Sequence, residues 1–361
     1  MTFPASISRR DFLKLSGAGL LGFILAELGL DSARALRLRS GQAAASPSGS
    51  QGRVAYPKVT VCDIPSHDGK KVNTYKRNTL LTITDQVTGG KEGDYNRLWY
   101  RLGREGYAYS GGVQPVQTIL NRAVTDLPKP GAVGEVTVPY VDSWWGINRN
   151  PFPAPRLYYA TTHWIAGIEI DKRDGGLWYK AYDHLYNAYY YIQPEFVRIV
   201  PAEELMPLSP EVPPEDKFVE VNLSKQIVLA FEGNDIVFAA RTSTGKGEFN
   251  TPEGWFTTFH KRPTAHMVGG ESDAAMYDLT GVPWDTYITE NGVSLHGTFW
   301  HNDFGTPHSH GCINLSPQDA KWLYRWTLPV IPPGKRFIYQ PGAGTSVHIA
   351  QNPKPQKRKD I

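Results

Sequence analysis

The 361-residue chain carries 38 Lys and Arg against 35 Asp and Glu, a formal charge of +3 at pH 7, with 40% apolar residues and 14 Phe, 10 Trp and 19 Tyr. That composition excludes global disorder, and the small net charge gives no electrostatic basis for nucleic-acid binding. The length suits two or three compact units, while 35 Gly and 28 Pro point to β-rich structure with many turns and away from a helical bundle.

Residues 1–35 read as an export leader. Ser8-Arg9-Arg10-Asp11-Phe12-Leu13-Lys14 fits the twin-arginine pattern, and an apolar run from Leu15 to Leu30, broken by Glu27, follows it. Such a run is too short and polar for a membrane span of the usual twenty or so residues. Ala33-Arg34-Ala35 supplies a small-x-small cleavage site, so the mature chain is expected to start near Leu36, in the cell envelope. An uncleaved leader, tethering the protein to the membrane, is the alternative. Residues 36–53 read as a flexible linker.

The next stretch resembles itself at an offset of 79 residues. Leu98-Trp99-Tyr100-Arg101 recurs as Leu177-Trp178-Tyr179-Lys180, Tyr107 as Tyr186, and Val113-Gln114-Pro115 as Ile192-Gln193-Pro194. A period of that length indicates duplicated small domains, placed at 54–120 and 121–205. Short alternating strands with Gly, Asp and Asn turns suit small β-barrels, and the Leu-Trp-Tyr pattern resembles bacterial SH3-like modules. Trp99 and Trp178 are expected in the two cores. The tyrosines between Tyr186 and Tyr191 are the place for a sugar- or wall-binding face if one exists.

Residues 206–216, with four prolines from Met206 to Glu215, read as a stiff connector. After it, Lys217–Leu223, Ile227–Phe231 and Ile236–Arg241 alternate in polarity and form a β-meander. The domain so begun is placed at 217–340, with a basic tail at 341–361. Farther along, Ser316 as N-cap, Pro317 at the first helical position and Asp319 in a capping box start a helix that runs through Trp326.

Before that helix stand Ser294-Leu295-His296-Gly297-Thr298 and Pro307-His308-Ser309-His310-Gly311-Cys312-Ile313-Asn314. A thiol needs a nearby imidazole or aligned backbone dipoles to become a nucleophile, and both are offered around Cys312. The helix start four residues later favours a thiolate modestly. Two other readings use the same residues. His308, His310 and Cys312 alternate as zinc ligands on a strand might, but no further Cys or acidic ligand accompanies them. Cys62 and Cys312, the only cysteines, could pair across 250 positions in an oxidising compartment; Cys62 is read instead as a small buried residue.

The His296-Gly297 pair, followed thirteen residues after the histidine by Ser309-His310-Gly311-Cys312-Ile313-Asn314, resembles the L,D-transpeptidases of the YkuD type. Ser243-Thr244-Gly245 and Thr251-Pro252-Glu253-Gly254 extend the resemblance upstream. It implies a YkuD-type β-sandwich with a short helix after the nucleophile, so that with the two SH3-like barrels before it the whole is expected to be mainly β. It also implies that Cys312 attacks the amide after the third residue of a peptidoglycan tetrapeptide stem, expels D-Ala, and passes the stem to an amine. On this reading His296 is the proton acceptor and donor, its ring held by a backbone carbonyl near Gly297. Ser309 and His310 shape the site, and the amides of Gly311 and Cys312 form the oxyanion hole. Gly297, Tyr277, Trp300 and Asn314 are substrate-binding candidates. No metal or cofactor is implied, the partners are peptidoglycan stem peptides, and carbapenems are the expected covalent inhibitors. Transfer to water, or a cleft that binds wall without catalysis, are the competing functions.

Overall fold

The computed structural model describes residues 50–147, 153–270, 276–332 and 334–353. The leader, and with it the twin-arginine motif, lies outside the described residues. Chain order begins with β1 (Ser50–Val54), β2 (Lys58–Cys62), β3 (Lys71–Lys76), β4 (Leu80–Ile83), β5 (Asp85–Thr88), β6 (Leu98–Arg101), β7 (Tyr107–Tyr109) and β8 (Val113–Val116). They form a three-stranded sheet in the order β4-β1-β8 and a five-stranded sheet β3-β2-β7-β6-β5. Val54, Val61, Ile83, Tyr100, Ala108 and Val113 close between the sheets. The linker is therefore shorter than the sequence suggested, because residues 50–53 already pair with β4 and β8. Gly52 allows this close packing: a Cβ there would lie 2.5 Å from Val113 Cγ1.

The second unit contains β9 (Ala132–Val136), β10 (Tyr140–Trp144), β11 (Pro153–Tyr158), β12 (Thr162–Ile170), β13 (Leu177–Asp183), β14 (Ala188–Ile192) and β15 (Val197–Ile199), in one sheet ordered β11-β10-β14-β13-β12-β9-β15. Its pairings repeat those of the first unit. The β1 pairs with β4 and β8 become β9 with β12 and β15, and the run β5-β6-β7-β2-β3 becomes β12-β13-β14-β10-β11. Long β12, with a register shift between Ile165 and Gly167, does the work of β4 and β5 together. The equivalence is not ungapped. Val113-Gln114-Pro115 begins β8, whereas Ile192-Gln193-Pro194 closes β14 and enters a 3₁₀ turn. The hairpin after β13 is longer, so the repeat shifts beyond an offset of 79. Trp99 and Trp178 are both buried.

The third unit has two five-stranded sheets. β16 (Lys217–Asn222), β17 (Ile227–Glu232), β18 (Asp235–Arg241), β19 (Gly254–Thr257) and β25 (Ser346–Ala350) assemble as β18-β17-β16-β25-β19. β20 (His260–Gly269), β21 (Tyr277–Tyr287), β22 (Ser294–Gly297), β23 (Ile313–Leu315) and β24 (Ile338–Tyr339) assemble as β23-β22-β21-β20-β24. The supposed basic tail is thus corrected. Ser346–Ala350 is an inner strand parallel to β16, with Val347 and Ile349 fully buried at about 1.5–3 kcal/mol each. Helix α1 (Pro317–Trp326) follows β23, and Ser316 Oγ accepts from the Asp319 N–H at 3.1 Å. Instead of reaching back to the backbone as in a capping box, the Asp319 carboxyl accepts the Ser316 hydroxyl at 2.6 Å.

The connector does not separate independent cores. Val133, Trp164 and Val200 of the second unit lie in one apolar cluster with Val219, Trp284, Leu315, Leu323 and Val347 of the third. Lys321 on α1 pairs with Glu204, and Arg325 donates to the Met206 carbonyl at 2.8 Å. Nor do the tyrosines from Tyr186 to Tyr191 form one open face. Tyr190 is buried with its hydroxyl 2.6 Å from His163 Nδ1, and Tyr186 donates to Asp278 of β21 at 3.0 Å.

Candidate active site

β22 and β23 run parallel, with His296 opposite Asn314, so the turn before β23 brings Cys312 alongside the ladder. Cys312 is partly exposed. Its Sγ lies 3.6 Å from the Gly292 carbonyl and 3.9 Å from Ser294 Oγ. Burial pushes the thiol up to about 11, against the lowering effect of the Ser294 N–H, with Asp285 raising it further. The sequence-based expectation of a dipole-favoured thiolate is therefore corrected. A β-strand intervenes between Cys312 and α1, and the sulfur rests as a thiol.

His296 is buried, and its Nδ1 donates to the Gly297 carbonyl at 3.1 Å. A carbonyl only accepts, so Nδ1 carries the proton and the Nε2 lone pair is free. Burial draws this imidazole down to about 4, opposed by that hydrogen bond, and keeps it neutral at physiological pH. The Trp300 ring lies 5.7 Å from it. Gly297 touches no open space: a Cβ there would meet Pro283 Cγ at 2.7 Å and Pro317 Cα at 3.0 Å. It orients the histidine and is not a substrate contact.

The turn carrying the nucleophile is built from the motif residues themselves. Ser309 Oγ donates to the Cys312 carbonyl at 2.6 Å and accepts from the Gly311 N–H at 3.1 Å. Gly311 has φ +113, a conformation that favours glycine. Its amide, expected at an oxyanion hole, is committed to Ser309. The upstream motifs act as a buttress: Thr251 Oγ1 donates to the Gly311 carbonyl at 2.8 Å and accepts from Gly245 N–H at 2.8 Å. Bridges Ser243↔Asn314 and Gly245↔Ser309 hold the same turn.

His310 is exposed at the rim, its ring 4.4 Å from Phe249 and 5.2 Å from Tyr277. Tyr277 begins β21, half-buried. Burial raises its phenol, and the neighbouring Cys312 adds to the effect. Asn314, by contrast, is buried with its side-chain amide 3.0 Å from His301 Nε2, so it braces the interior and does not face substrate. His308, His310 and Cys312 lie in a loop and turn to different partners. Among the described residues no three His, Cys, Asp or Glu are grouped to hold a metal ion, and both cysteines are free.

Sequence reasoning missed Ser294, Asp285 and Gly292. Ser294 was legible as the residue two before His296 on a strand, hence on the same face. Asp285, an acid inside the apolar run Val282-Pro283-Trp284, carried a signal too.

Residues 216–349 match the model of the L,D-transpeptidase catalytic domain, YkuD. This segment is similar to YkuD domains. Among curated proteins, the probable L,D-transpeptidase 3 of Mycobacterium tuberculosis is 34% identical over 98 residues, which cover 26% of this chain and 35% of that protein. The chain thus spans about a third of that relative's length. Among solved structures, an L,D-transpeptidase from Mycobacterium smegmatis is 26% identical, with TM-score 0.32, covering 37% of this chain and 58% of that one. L,D-transpeptidase 3 from Mycobacterium tuberculosis in complex with a faropenem-derived adduct is 21% identical, with TM-score 0.31, covering 37% and 60%. The buttressed turn and the His296 strand both lie inside the YkuD segment.

Proposed function

We propose that the chain is an exported cysteine acyltransferase of the cell wall. Cys312 Sγ attacks the carbonyl after the third residue of a tetrapeptide stem, and its proton moves to His296 Nε2 as the C–S bond forms. The Cys312 amide receives the carbonyl oxygen's developing charge. His296 then returns the proton to the departing D-Ala nitrogen, and an amine acceptor, deprotonated by the same ring, displaces the thiol. Tyr277, His310 and Trp300 border the entrance, where the stem would lie.

The observation that carries this reading is a buried neutral imidazole, its Nδ1 tied to the Gly297 carbonyl, on the strand that runs beside the strand following the partly exposed thiol. A neutral pair needs proton transfer during attack, which suits a general base better than a preformed ion pair. The first two units, read as SH3-like, serve in this reading as braces for the catalytic turn. Intact-mass analysis with a carbapenem tests the proposal: the wild type gains one covalent adduct and Cys312→Ala none. Labelling of the alanine variant would place the nucleophile elsewhere.

A further inference from the structure

Two polar side chains behind Cys312 have no part in the reaction just described. Ser294 and His296 share one face of β22. Ser294 Oγ lies 3.9 Å from Cys312 Sγ and 2.8 Å from Asp285 Oδ1. Ser294 and Asp285 are both fully buried. Asp285 Oδ2 is buried as well and has no hydrogen-bond partner among the described residues. A carboxylate anion there would leave charge on an oxygen that no donor meets, whereas the neutral acid spends its single proton on Ser294 and leaves only a weak acceptor unpaired.

We propose that Asp285 is a positioning residue for the nucleophile: as the protonated acid it donates to Ser294 Oγ, which turns the Ser294 hydroxyl toward Sγ and supports the attacking thiolate. The inference rests on the reading of Cys312 as nucleophile. Only hydrogen bonds change in this chain, and the thiol proton still goes to His296. Burial pushes Asp285 up to about 8, against the opposing Ser294 hydroxyl and Arg262 charge. Above that value Ser294 must donate to the carboxylate instead. Sulfur then loses a donor and gains a negative neighbour. The charged or titratable groups acting on Asp285 are Arg262, its cross-strand partner on β20, Tyr287 on its own strand, and Cys312. Helix α1, packed on β21, turns Lys321 and Tyr324 toward Trp284.

The test is the rate of Cys312 alkylation by iodoacetamide in the full chain, read by peptide mass between pH 6 and 10. In the wild type the rate climbs about tenfold per pH unit as thiolate forms, then levels above about pH 8, where ionisation of Asp285 cancels the gain. Asp285→Asn still donates to Ser294 but cannot ionise, so its rate climbs through that region without levelling. Ser294→Ala reacts roughly tenfold more slowly at pH 7 and shows a weaker break, because only the negative neighbour remains. Superimposable profiles for the wild type and Asp285→Asn would overturn the proposal. Should that variant not fold, a Ser294→Ala profile superimposable on that of the wild type would overturn it equally. The alkylation profile reports on the thiol alone, so a wild type that takes no carbapenem adduct would count against the transpeptidase reading while that profile still decides the role of Asp285.

Discussion

The Tyr56 hydroxyl lies 2.7 Å from His308 Nε2, joining the turn after β1 to the loop that leads into the nucleophile 252 residues farther along the chain. Asp303 in the same loop accepts from Tyr109 at 2.6 Å and from Asn96 at 3.0 Å. Arg53 donates to the Phe299 carbonyl and lies over the Tyr158 ring, which stacks on Phe299. Both N-terminal units therefore grip the segment from Phe299 to His308.

Loosening that grip should be felt at the site. Tyr109→Phe removes the shortest of several hydrogen bonds to buried Asp303, and one such bond is worth about 0.5–1.5 kcal/mol. Urea unfolding should show that loss, and carbapenem acylation should slow although the substitution lies outside the YkuD segment. A variant matching the wild type in both measurements would reduce the contact to a bystander.

His296→Ala should keep the fold and slow acylation by roughly 10²–10⁴-fold, the usual worth of a general base. The pH dependence has a definite sign. His296 is drawn down to about 4, so the ring is the neutral base above that value and loses the role only below it. Single-turnover acylation by a carbapenem should thus show no acid limb between pH 6 and 7. A limb centred near 6.5 would mean that the imidazole is not desolvated as described.

A fragment beginning at Glu215 should be insoluble or markedly less stable than the full chain. It would expose the side of the apolar cluster now covered by Val133, Trp164 and Val200, and Lys321 would lose Glu204. This reverses the independence that the proline-rich connector suggests. Circular dichroism and thermal melting of the two proteins decide the matter, and an equally stable fragment would show that the shared cluster contributes little.

Changing Arg9-Arg10 to Lys-Lys should trap precursor inside the cell if the leader uses the twin-arginine route. Cell fractionation with an antibody to the mature chain reads this directly. Normal export of the variant would assign the leader to another route.

Much of this protein was legible without coordinates because its signals are local. The meander after Lys217 follows from period-two alternation, α1 from Ser316 and Pro317 at its start, and the nucleophile turn from contiguous residues around Gly311, whose positive φ a larger side chain rarely adopts. The rest depends on groups distant in sequence. Val347 and Ile349 look like part of a tail until β16 is seen beside them, and the connector looks like a boundary until Trp164 is seen in the same cluster as Leu323. The thiol's rise has the same origin. Desolvation and the approach of Asp285 depend on how β21, β22 and the turn before β23 close around the sulfur, and no spacing along the chain encodes that enclosure.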